Sequence, residues 1–241
     1  MAADPLAPLL DLPGVTEAAE SARAAVDAVH RHPANRRGWT ANAAEASVRA
    51  ARSSSGLDGG STVLATDVSD PVLAGALRVA AALDGQVPRW PRAPLQVLAR
   101  LHLLAAADVV TDNAQLGRPR AGAGQRLELL GQLVTGGTRV PAAVLAAVVH
   151  GELLGLAPFG TVDGVVARAA ARLVTVSTGL DVHALTVPEV SWLRRPGEYR
   201  SAAAGFASGT PEGVAVWVVG CCAALEAGAR EAGSIADAAV S

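Results

Sequence analysis

Apolar residues in this chain recur at three- and four-residue spacing in windows of about 12 to 20 positions, and extended alternation of β-branched residues is absent. Glycine and proline punctuate the windows. The pattern predicts an all-α fold, with helices over 16–31, 40–54, 71–83, 94–108, 124–134, 141–155, 164–178, 211–230 and 231–239 and a short turn near 187–193. Asp70 before Pro71, and Thr210 before Pro211 and Glu212, read as N-caps ahead of a proline at the first helical position. RHPANRRGW, residues 31–39, reads as a basic, solvated connection. No repeat and no dividing linker is visible. Residues 1–241 therefore read as one domain: an N-terminal helical extension (1–39), a core (40–205) and C-terminal helices (206–241).

A chain of 241 residues can bury roughly 70% of the surface its unfolded form exposes, so a sizeable core is available. The net charge of −2 argues against a basic footprint for nucleic acid. All 20 basic residues are arginines, which together with the abundance of alanine reads as coding bias rather than chemistry. The segment 140–159 has the length of a membrane span, but His150 and Glu152 lie inside it and Pro158 near its end, so a core helix is expected and no membrane. Cys221 and Cys222 are adjacent, which suits neither a disulfide framework nor a zinc site. The opening MAADPLAPLLDLPG has an early aspartate and no basic stretch before an apolar run, so it does not resemble a secretory signal and a cytoplasmic protein is expected.

The most informative stretch is VPAAVLAAVVHGELLGLAPFGTVDGVVARAAARLVTVSTG, residues 140–179. Its first helix must stop before Pro158, because the residue preceding proline is biased away from helical geometry. Asp163 and Gly164 then read as the cap of a second helix. A loop entering a helix in this way aims backbone N–H groups at whatever lies above it, a generic anion site. Asp163 brings its own negative charge there, so a self-capped helix is favoured over a phosphate cradle.

VVHGELLGLAPFGTVDGVVARAAARLVTVSTGLD resembles the core of Fic (Fido) domain proteins, whose signature H-P-F-x-[DE]-G-N-G-R-x-x-R forms a loop between two central helices. Pro158, Phe159, Gly164 and Arg168 match, and His150, Glu152 and Leu153 resemble the helix leading into the loop. The family's catalytic histidine falls on Ala157, its acidic magnesium ligand on Thr161, its asparagine on Asp163 and its first phosphate-binding arginine on Val165. Alanine cannot accept a proton and valine cannot pair with a phosphate. Upstream, ARSSSGLDGG resembles the inhibitory S-x-x-x-E-G motif of self-inhibited members, with Ser54, Asp58 and Gly59 at its positions. The resemblance implies that Asp58 pairs with Arg168. It spans roughly 40–205, with LARLH (98–102) and GRPR (117–120) as weaker landmarks, and little room remains for the hairpin flap that aligns a target.

The resemblance implies a Fic-like helical domain, catalytically degenerate, acting as a binding or regulatory module. Its class-II-like inhibitory pair would be Asp58 and Arg168, and its anion-site candidates Arg168, Gly164, Asp163, Thr161 and Phe159. No cofactor is then expected, and the partner is an unknown protein or a small anionic ligand. Two alternatives stay open. One is a divergent nucleotidyl or phosphoryl transferase using magnesium and ATP or another nucleotide, with Asp163 on the metal and His150 replacing the base. The other is a purely structural helical partner, with homo-oligomers compatible.

His150-Gly151-Glu152 spells the first half of a zinc-deaminase signature, but the P-C-x-x-C half is missing. His150 and His102 read instead as core histidines bonded to backbone or a carboxylate. GAGQRL at 122–127 fails as a dinucleotide fingerprint, since no strand precedes it and the third glycine is absent. Arg168 and Arg172 share a helix face, where they could bind a small anion; the favoured structural reading pairs Arg168 with Asp58 and leaves Arg172 to a carboxylate or solvent. Glu189, Trp192 and Glu198 read as part of a turn-rich surface or lid without assigned chemistry.

Overall fold

Six helices of the computed structural model, which describes residues 3–239, open on a proline at their first turn, where the missing N–H would have had no partner anyway. The helices are α1 (Val15–Arg31), α2 (Pro33–Leu57), α3 (Pro71–Gln86), α4 (Pro94–Ala106), α5 (Gly124–Gln132), α6 (Ala142–Leu156), α7 (Asp163–Ser177), α8 (Pro188–Arg194), α9 (Pro196–Ala207) and α10 (Pro211–Ala238). No strand occurs among the described residues, as the all-α pattern requires. The two caps behave as local rules dictate: Asp70 accepts from the Leu73 N–H at 2.8 Å, and Thr210 from the Gly213 N–H at 3.2 Å.

α6 and α7 form a central hairpin, and α6 lies between two apolar clusters. On one side Leu145, Ala146, Val149 and Leu153 pack with residues of α3, α4, α5 and α7. On the other, Ala143, Val144 and Ala147 pack with α1, α9 and α10. A helix walled in on both sides has no solvent face, which explains why its sequence is apolar almost all round. α10 is the one helix among the described residues long and apolar enough to cross a membrane, yet it runs through the fold against α1, α8, α9 and α6.

Four sequence expectations change. Residues 33–39 are not a solvated loop but the start of α2, which bends at Gly38 (φ −122°) and crosses the expected boundary at 39/40. Buried Asn35 ties that start down, donating to the Val29 carbonyl and accepting from Asn42. Residues 196–207, expected to be turns, form α9. The separate helix at 231–239 is the end of α10, because nothing at 230 breaks the ladder. α2 runs to Leu57 instead of ending at 54, burying Ser53, Ser54 and Ser55 in its last turns. Of these three, Ser54 meets α7, its hydroxyl and carbonyl both accepting from Arg168.

Candidate functional site

The site is the loop 157–162 together with the helix ends around it. α6 stops at Ala157, whose φ of +42° is left-handed, and its N–H closes the helix on the Leu153 carbonyl at 3.0 Å. The loop is then fastened from three directions. Asp163, the first residue of α7, accepts from the N–H groups of Phe159 (2.9 Å) and Gly160 (2.7 Å). Phe159 stacks on His102 of α4, with centroids 4.3 Å apart. The Gly117 N–H donates to His102 Nδ1 at 2.9 Å, so His102 Nε2 carries the proton and donates to Thr161 Oγ1 at 3.1 Å. From the third side, the Arg120 backbone N–H donates to the Pro158 carbonyl at 2.7 Å, and its guanidinium donates to the carbonyls of Ala157 and Leu156.

Asp163 therefore does not cap its own helix as expected. Its short side chain turns back to the loop, and burial pushes its carboxyl above the usual range against the pull of those two N–H groups. The first turn of α7 is met instead by Asp58, the residue that ends α2: Asp58 Oδ2 accepts from the Val165 N–H at 3.0 Å. The other oxygen accepts from Arg168 Nη2 at 2.7 Å. Gly164 makes room, because a Cβ at that position would overlap the Asp58 carboxylate.

Arg168 is 2% exposed, and each of its nitrogens has a partner. Nε donates to Ser54 Oγ (2.8 Å), Nη2 also to the Ser54 carbonyl (2.9 Å), and Nη1 to the Tyr199 hydroxyl (3.1 Å). Burial disfavours the charge, but neighbouring Tyr199 and Asp58 outweigh it, and the guanidinium stays firmly protonated. The Tyr199 hydroxyl passes its proton toward His150 Nε2 at 2.8 Å; burial raises this phenol to about 12. Burial, and then Arg168, push His150 well below the ordinary histidine range, so it is a neutral acceptor. Its partner is a phenol on α9 rather than the backbone or carboxylate expected. Trp192 and Trp217 complete an aromatic cage around it.

Sequence reasoning missed Tyr199 and Glu189. Glu189 is buried and pairs with Arg172 at 3.1 Å, while Arg172 also holds the carbonyls of Ala184 and Thr186. The chain's single tyrosine lay on the helix that was missed; the signal available was Pro196 followed by Glu198 in a first turn. Ser54 and Gly59 flank the Asp58 contact, Gly59 at φ +84° letting the chain leave α2. Pro158 ends α6, and Glu152 lies apart, paired with Arg126 at 2.5 Å. Two small, partly open cavities of about 30 and 40 Å³ share Arg168, Arg172 and Glu189 as lining, room for a water each. Among the described residues no three His, Cys, Asp or Glu side chains gather as a metal site would need.

No protein-family model matches the sequence, and no curated protein matches it significantly. Among solved structures, a Fic family protein from Desulfovibrio desulfuricans G20 superposes with a TM-score of 0.70 at 19% identity, over 92% of this chain and 74% of that one. At that identity the likeness concerns architecture. The chain has a Fic-like all-α fold, with α6 and α7 as the two central helices flanking the loop.

Proposed function

We propose that this protein is a non-enzymatic binding or regulatory module on a Fic-like fold, its anion position held shut by its own Asp58. The observation carrying this reading is the double contact of Asp58, which satisfies both Arg168 and the Val165 N–H. Those are the two groups an incoming anion would use.

The residues present do not fit a magnesium-bound nucleotide. The Thr161 hydroxyl is engaged by His102, and both Asp163 oxygens are taken by loop N–H groups. Ala157 offers no base, and the Val165 side chain is buried and apolar. His150, the substitute base of the transferase reading, is enclosed and bonded to Tyr199. Ligands compatible with the reading are a small anion or a protein partner that draws α2 away. Two reduced, buried cysteines, Cys221 and Cys222, suit a cytoplasmic setting.

Calorimetric titration of ATP and ADP, with and without magnesium, into the wild type, Asp58→Ala and Asp58→Asn tests the reading. Binding that appears only in the variants supports a shut anion site. Silence in all three would count against a nucleotide ligand. Transfer of label from a nucleoside triphosphate to protein, abolished by Arg168→Ala, would overturn the non-enzymatic reading. Magnesium-dependent binding lost in Asp163→Ala would favour the divergent transferase.

A further inference from the structure

The outward side of α10 carries an ordered row. Glu212, Val216, Gly220, Ala223, Ala227 and Arg230 follow one another by three or four residues, which at 3.6 per turn aligns them along one side of the helix over about five turns. Ala227 is half-buried and the others are exposed, Val216 by 60%, unusual for a large apolar residue of this chain. From Val216 to Arg230 the row forms one wall of an open groove of about 360 Å³ between α10 and the α8–α9 pair, with Trp192, Tyr199 and Trp217 also lining it.

Two features are not required by the packing of one chain. A Cβ on Gly220 would meet nothing within 4 Å, so the fold does not need a glycine there, although glycine weakens a helix interior relative to alanine. Neither Glu212 nor Arg230 forms an ion pair, among the described residues, though both stand on this face. The row has an acid at its N-terminal end, a base at its C-terminal end and an apolar middle with its smallest residue near the centre.

Such a row complements itself when reversed. About a two-fold axis midway between Gly220 and Ala223, a second copy sets Gly220 opposite Ala223, Val216 opposite Ala227 and, within one residue, Glu212 opposite Arg230. The charge pair occurs twice, and the helix dipoles also oppose favourably. A parallel copy would instead set like charges together. We propose that this protein forms a symmetric dimer through antiparallel contact of α10 with α10, Gly220 permitting close approach and the Glu212 to Arg230 pairs fixing direction. This inference does not depend on the state of Asp58.

Sedimentation velocity on the full chain, across micromolar concentrations at low salt, tests it. The wild type is expected to dimerise. Glu212→Arg and Arg230→Glu should each weaken the dimer by about tenfold or more, since each creates two like-charge contacts. The double reversal should restore it, and Gly220→Leu should abolish it while the circular dichroism spectrum is unchanged. A wild type that stays monomeric at high micromolar concentration overturns the proposal. So does a dimer indifferent to the single reversals, or one that the double reversal fails to restore.

Discussion

Asp58 and Arg168 meet at 2.7 Å across the join between the end of α2 and the start of α7, and the second Asp58 oxygen holds the first turn of α7. The contact unites two segments more than 100 residues apart in the chain. Arg168 is almost fully enclosed and Asp58 largely so, at 2% and 16% exposure, so the pair lies closer to a buried charge pair than to a surface one.

Removing the carboxylate should therefore cost more than removing a typical surface charge. Asp58→Ala leaves Arg168 with only neutral partners and an unsatisfied N–H at Val165, and is expected to destabilise the fold by about 2–4 kcal/mol. Asp58→Asn retains an acceptor and should cost clearly less. Urea denaturation of both variants checks the order; equal losses would mean that the charge carries the whole effect and the retained acceptor contributes nothing.

Gly164→Ala probes the same contact without touching a charge. The added methyl would occupy the space of the Asp58 carboxylate, which must swing out. Unlike Asp58→Ala, this variant should stay silent toward anions, because the methyl fills the space an anion would take, and its stability should fall by about 1–3 kcal/mol from displacement and crowding. A Gly164→Ala protein as stable as the wild type would remove the steric argument.

Stability should fall as the medium is acidified below about pH 6.5, before the carboxylates titrate. His150 and His102 both have folded pKa values lowered from 6.5, chiefly by burial. The unfolded chain then binds the extra protons, so their contribution is complete above 6.5 and is lost as pH drops through the folded values. Asp163, raised from 3.8, slopes the opposite way in the window just above 3.8, and Asp181, lowered from 3.8, is lost below it. Denaturant midpoints at about pH 7.5 and 5.5 should differ in the wild type and differ less in His150→Gln.

Ala157 adopts a left-handed φ that favours glycine. Ala157→Gly should stabilise the protein by about 0.5 kcal/mol, the relief of backbone strain exceeding the added entropy of the unfolded chain. A lower melting temperature would mean that the half-buried methyl matters more than the backbone.

The parts of this fold written in local chemistry were legible in the sequence. Asp70 and Thr210 announce their helices, Pro158 ends α6, and the unbroken apolar run of α6 marks a helix enclosed on both sides. The helix spanning 33–39 was not legible, because its arginines and Gly38 look like a loop until Asn35 and Asn42 are seen to bond. α9 was hidden by Gly197 and Gly205, and with it Tyr199, whose contacts with Arg168 and His150 depend on packing that no spacing encodes. The orientation of Asp163 was a competition between two sets of N–H groups. Its reach decided for the loop, leaving the helix end to Asp58.

On the proposed reading, Asp58, riding on a helix packed into the same fold, would compete with a dissolved anion as a tethered ligand rather than as a solute. Its advantage is then a population, the fraction of molecules in which the end of α2 has let go. A site competent only one part in a hundred appears about a hundredfold weaker than its intrinsic affinity. Any partner that grips α2 would raise that fraction without touching the site, making affinity an adjustable property of the first 58 residues.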